Sequence, residues 1–212
     1  MTKKKAETPQ AGEIQADEKN AGSTENQGSE TVSQEDKEET DPGAEDESVD
    51  PDLIAKSKET TPGKKVRFIV IHCSASDRQE HDNLETIRAW HKARGFKDVG
   101  YNYYIRQDGT IEIGRPLDDD GILESEEIGA HTLGVNQESI GICLGGIDQF
   151  TPRQFESLGY IVETILATEI EPEAITGHNY WTDKKTCPNF DWREWVKTHY
   201  PDLLPPEKKG KR

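Results

Sequence analysis

Two rhythms of apolar residues run along the second two-thirds of this chain. "VRFIVIH", residues 66–72, is a continuous β-branched and aromatic run, the pattern of a strand covered on both faces, and it predicts a central strand ending at His72. "DNLETIRAWHKARGF" places Leu84, Ile87 and Trp90 at helical spacing, with Asn83 as the N-cap and Gly95 as the stop. "GYNYYIRQDGTIEIGR", 100–115, alternates on either side of Asp108-Gly109 and predicts a β-hairpin. "SIGICLGG", 139–146, is a second buried strand ending in glycines. A helix follows from the Thr151 cap and Pro152, with Phe155, Leu158, Ile161, Val162 and Ile165 as its stripe. "EAITGH" is a short strand and "DWREWVKTHY" a last short helix, stopped by "PDLLPP". Between them, 177–192 carries Asn179, Thr182, Asp183, Pro188 and Asn189 and reads as a loop. The order predicts an α/β fold, a mixed central β-sheet flanked by helices. His72 and His178 fall at the C-terminal ends of strands, where open α/β sheets gather their functional loops.

Composition divides the chain. Residues 1–65 contain 9 Lys, no Arg and 17 acidic residues, and no aromatic precedes Phe68. Such a segment cannot bury enough apolar surface to offset the entropy of ordering, so 1–65 is expected to be a disordered acidic leader. The folded domain is expected over 66–203, with 204–212 a basic C-terminal tail. A net charge of -16 repels phosphates and excludes general nucleic-acid binding. No apolar run is long enough to insert into a membrane, and the start "MTKKKAETPQAGE" lacks the apolar centre of a secretory signal. Synthesis in the cytoplasm is therefore expected. The three cysteines, Cys73, Cys143 and Cys187, show no disulfide-framework spacing and fit a reducing compartment.

The 177–192 loop sets His178 and Cys187 nine residues apart, which raises the question of a shared metal ion. A catalytic zinc takes three protein donors and keeps a fourth position open. His72, held by a buried strand, is the best third donor. The residues alone leave this open, because a histidine after a strand can be an ordinary polar residue and a lone cysteine a small buried hydrophobe.

Four stretches carry a resemblance: "VIHCSAS" at 70–76, "IRAWHKARGFKDVGYNYYIRQDGTIEIGR" at 87–115, "GAHTLGVNQESIGICLGGID" at 129–148 and "GHNYWTDKKTCPNFD" at 177–191. In that order they resemble the type 2 N-acetylmuramoyl-L-alanine amidases, which include peptidoglycan recognition proteins and small phage lysozymes. The phage members are the more similar. The resemblance implies the mixed-sheet fold, a zinc ion (Zn2+) on His72, His178 and Cys187, Tyr101 and Lys185 as the catalytic pair, and His131 in the substrate groove. It implies hydrolysis of the amide between N-acetylmuramic acid and L-alanine of the stem peptide, by a monomer acting on peptidoglycan in the cell wall after release. Lys184 takes the place of Lys185 if the loop is shifted by one residue. Cys73 and Cys143 are expected to be buried small residues, and His81, His91 and His199 to be solvated. The acidic segment 116–130 is longer than the phage connection and is expected to alter the groove wall. The leader has no phage counterpart. Two other readings stay open: a non-catalytic peptidoglycan-binding module, which the presence of Cys187 disfavours, and an interaction protein working through the leader.

Overall fold

The computed structural model describes residues 63–118 and 120–208; the expected leader, except Gly63, Lys64 and Lys65, and the last four residues lie outside these. Seven strands are present among them: β1 (Lys64–Lys65), β2 (Phe68–Cys73), β3 (Tyr103–Ile105), β4 (Ile111–Ile113), β5 (Ile122–Leu123), β6 (Ser139–Leu144) and β7 (Ala174–Gly177). Three α-helices accompany them: α1 (Leu84–Ala93), α2 (Pro152–Leu166) and α3 (Trp192–His199). Five strands form one mixed sheet in the order β4-β3-β6-β2-β7. β2 runs parallel to β6 and β7, β3 is parallel to β6, and β4 closes the edge as the antiparallel arm of the expected hairpin. The predicted α/β fold with a mixed central sheet and flanking helices is therefore the observed one.

Strand alternation sorts the sheet into two faces. Ile69, Ile71, Ile140, Ile142, Leu144, Ile105 and Ile175 face one side, where they bury with Leu158, Ile161, Val162 and Ile165 of α2 and with Trp192 and Val196 of α3. The opposite face carries a smaller cluster in which Tyr104 and Cys143 meet Leu84, Ile87 and Trp90 of α1, together with Val99. His72 lies on this second face, because it is one step out of phase with Ile69 and Ile71.

Local chemistry sets the helix ends. The Asn83 side chain accepts from Thr86 N, and Asp191 accepts from Glu194 N at the start of α3. Thr151 and Gln154 form a reciprocal capping box at α2. Gln154 is fully buried, and its amide also donates to the carbonyls of Ile105 and Gly145, which fastens α2 to the strand ends.

Two boundaries differ from expectation. Lys64 and Lys65, assigned to the leader, pair with Leu123 and Ile122 in a two-stranded antiparallel sheet. Its partner β5 comes from the acidic segment 116–130, where the buried Glu127 carboxylate accepts from the amides of Asp118 and Glu124. At the other end, Leu204 packs on the main core and Lys208 lies 4.7 Å from the Tyr180 ring centroid, so the expected tail begins as part of the domain. The alternation rule missed β1 and β5 because two-residue strands offer no period to read.

Candidate metal centre

His72 is next to last in β2 and 1% exposed. Register delivers the second histidine: Ile71 pairs with Gly177, so the chain leaving β7 sets His178 beside His72, with ring centroids 4.7 Å apart. Cys187 is returned to the same place by Asn179. That residue's amide donates to Cys187 O (2.8 Å), its side chain donates to Thr186 O (3.1 Å), and its Oδ1 accepts from Trp192 Nε1 (2.8 Å). The loop is thereby pinned to α3 and closed upon itself.

One ligand atom from each of His72, His178 and Cys187 falls within 4.8 Å of the others. The Cys187 sulfur is 3.8 Å from His72 Nδ1 and accepts from the Cys73 amide at 3.2 Å. Tetrahedral zinc with ordinary Zn–N and Zn–S bonds sets such donors roughly 3.6 Å apart, so the His72–Cys187 spacing fits. Charge fits as well. Burial, followed by the neighbouring His178 and His131, pushes the His72 pKa well down, which leaves a neutral ring with a free lone pair. Contact with the Cys73 thiol and burial push the Cys187 thiol well above its ordinary value; a bound cation reverses that balance, because a coordinating thiol loses its proton.

Around these donors stand two of the other expected residues. Tyr101 is half-buried, with its ring centroid 5.1 Å from that of His72 and 5.3 Å from that of His91. Burial, then the sulfurs of Cys143, Cys187 and Cys73, hold its phenol well above pH 10, so it stays a hydrogen-bond donor. His131 is 8% exposed, with Nδ1 3.0 Å from His72 Nε2 and Nε2 3.4 Å from Ser139 O. Both of its ring nitrogens are engaged inside the protein. Lys185 is half-buried, and among the described residues it makes no hydrogen bond or ion pair; Lys184 is exposed, with its amide on Thr182 Oγ1.

Some expectations are corrected. His81 and His91 are each 4% exposed rather than solvated. His81 Nδ1 is 2.7 Å from Ser76 Oγ, with its ring edge-on to Trp90, and His91 Nδ1 accepts from Gly100 N at 2.7 Å. His91 occupies the inward side of α1, next to Trp90 and Ile87, where helical spacing alone marked only the apolar residues. His199 is exposed and stacks on Trp195, and Cys73 and Cys143 are buried as expected. Tyr180 and Trp181 pack on the domain: Trp181 lies edge-on to Phe68 and donates to Thr176 Oγ1, while Tyr180 meets Trp192.

The residues that sequence reasoning passed over are Asn179, Thr132 and Gly141. Gly141 did leave a signal, since a glycine inside a buried strand marks a close approach. A Cβ there would come within 2.7 Å of His131 Cγ.

Comparison with known proteins identifies the family. The sequence profile described as N-acetylmuramoyl-L-alanine amidase matches residues 62–190, which include all three donors. The endolysin of Enterobacteria phage K11 is 37% identical over 153 residues, spanning 68% of this chain and 94% of that protein. The endolysin of Escherichia phage T7 is 38% identical over 135 residues, or 60% and 83% of the two chains. Among solved structures, the N-acetylmuramoyl-L-alanine amidase LysC of Clostridium intestinale superposes with a TM-score of 0.54 at 28% identity, covering 66% of this chain and 89% of that one. A match running from the two-stranded sheet through the cysteine loop assigns this chain to the N-acetylmuramoyl-L-alanine amidase family, as a type 2 amidase related to the phage endolysins.

Proposed function

We propose that this protein is a zinc-dependent endolysin that hydrolyses the amide joining N-acetylmuramic acid to L-alanine in peptidoglycan. The observation that carries the reading is the convergence of His72, His178 and Cys187 within 4.8 Å, in a chain whose relatives are phage endolysins. Zinc, when bound, supplies Lewis acidity, polarising a carbonyl oxygen and lowering the pKa of a water to about 7. His72, His178 and Cys187 would hold the ion. Tyr101, kept protonated by its burial, offers an O–H donor beside His72 to the scissile carbonyl or to the attacking water. Lys185, two residues before Cys187, brings an ammonium that offsets the negative charge developing on the carbonyl oxygen. Hydrolysis adds hydroxyl to the lactyl carbonyl carbon and a proton to the departing alanine nitrogen, leaving an acid and a free amine.

Among the described residues no helix is long and apolar enough to cross a membrane, and the chain is taken to act as a monomer on the wall after release. Purified protein should contain one zinc per chain and convert muropeptides to free stem peptide and glycan, read by mass spectrometry. Cleavage at another bond, or binding without cleavage, would replace this reading with a different hydrolase or with a recognition module.

A further inference from the structure

The hydrogen bonds behind the metal centre determine where its protons sit. Ser139 O can only accept, and it lies 3.4 Å from His131 Nε2. Ser139 Oγ is at the same distance, but its single proton goes to Val135 O at 2.7 Å, so it too can only accept from the ring. His131 Nε2 therefore carries a hydrogen. In the neutral ring Nδ1 is then a lone pair, and it sits 3.0 Å from His72 Nε2. One proton must lie between those two nitrogens, and only His72 can supply it. A neutral His72 protonated on Nε2 presents its bare Nδ1 toward Cys187, 3.8 Å from the sulfur.

The assembly is built rather than incidental. Thr132 Oγ1 lies 3.2 Å from His72 Nε2 and 3.1 Å from His131 Nδ1, placed to share the His72 Nε2–H as a second acceptor. Asn136 Oδ1 accepts from the amides of His131 and Thr132 at 2.9 and 2.7 Å, fixing the turn that carries both. The His131 ring lies over Gly141, where any Cβ would displace it, and it meets the His72 ring edge to face with centroids 5.0 Å apart.

We propose that His131 is a positioning residue, which together with Thr132 and the Ser139 carbonyl locks His72 in the tautomer whose Nδ1 binds the metal. This replaces the groove role expected for His131 and rests on the zinc reading above. A ligand histidine that donates its second ring nitrogen to a fixed acceptor is oriented before the ion arrives, and losing such an acceptor typically costs about 10–100-fold in metal affinity.

Nitrogen-15 NMR of the metal-free parent reads the tautomer directly. Both His72 and His131 should appear as Nε2–H forms, and His72 found protonated on Nδ1 would overturn the proposal whatever any variant does. Zinc affinity by chelator competition adds the second arm. His131→Leu should bind zinc about 10–100-fold more weakly, and His131→Asn, which keeps an acceptor near the Nδ1 position, should recover most of that loss. Parent-like zinc affinity in His131→Leu, accompanied by a raised KM for peptidoglycan, would return His131 to the substrate groove; equal loss in both variants would make its role one of packing alone. A parent that binds no zinc would sink the zinc hydrolase reading, while the metal-free tautomer would still decide the His131 arrangement.

Discussion

Two adjacent lysines, Lys184 and Lys185, carry the same charge but stand differently on the protein. Lys184 is exposed and Lys185 half-buried, two residues before Cys187. A solvated lysine contributes little to turnover, whereas one preorganised donor aimed at a developing oxyanion is worth on the order of a hundred- to a thousandfold. Lys185→Ala should therefore keep its zinc and lose turnover by that amount, with Lys184→Ala close to the parent, as measured by muropeptide release under saturating substrate. The opposite pattern would shift the loop register by one residue. Parent-like turnover in both would remove the ammonium from the chemistry.

At the scale of elements, α1 contributes a buried base as well as an apolar stripe. Burial, reinforced by the charges of Arg94 and Arg115, lowers the His91 pKa to about 3. Between that value and the unfolded value of about 6.5 the unfolded chain holds a proton that the folded chain refuses. Stability from this group is intact above the unfolded pKa and falls as pH drops toward the folded one, by about 1.4 kcal/mol per pH unit. His91→Asn, whose amide oxygen falls near the Nδ1 position and can still accept from Gly100 N, should flatten the slope of urea-derived stability against pH by about that amount between pH 6 and 5; unchanged slopes would show that His91 titrates normally. This element also shows what the sequence made legible. Asn83 and the spacing of Leu84, Ile87 and Trp90 marked the helix correctly, and the two long apolar runs marked β2 and β6. His91 escaped because its burial depends on a tertiary partner, the Gly100 amide, that no local pattern encodes. Residue type and strand position made His72, His178 and Cys187 candidates and left their role open, whereas the contacts behind them left no mark in the sequence. Asn179 and Ser139 act through backbone groups and Thr132 through its hydroxyl on His72, contacts made only when distant segments meet.

For the folded domain, the sheet is the organising object, and its two faces are unequally furnished. α2 and α3 cover one side over a large aliphatic cluster, while α1 covers the other over Tyr104, Cys143, Val99 and its own three apolar residues. Apolar contact resists opening, so the thinly covered layer has the lower local unfolding free energy. Amides in α1 should exchange with deuterium well before those of Ile69–Ile71 and Ile140–Leu144, and equal protection in both would refute the asymmetry. The donors and their support lie between these regimes. His72 and Gly141 ride on the slow central strands, whereas Tyr101 leans on His91 from the quick layer. On the proposed zinc reading, breathing of α1 would leave the ion's seat in place while loosening the phenol beside it, so that metal retention and readiness for catalysis would follow separate clocks.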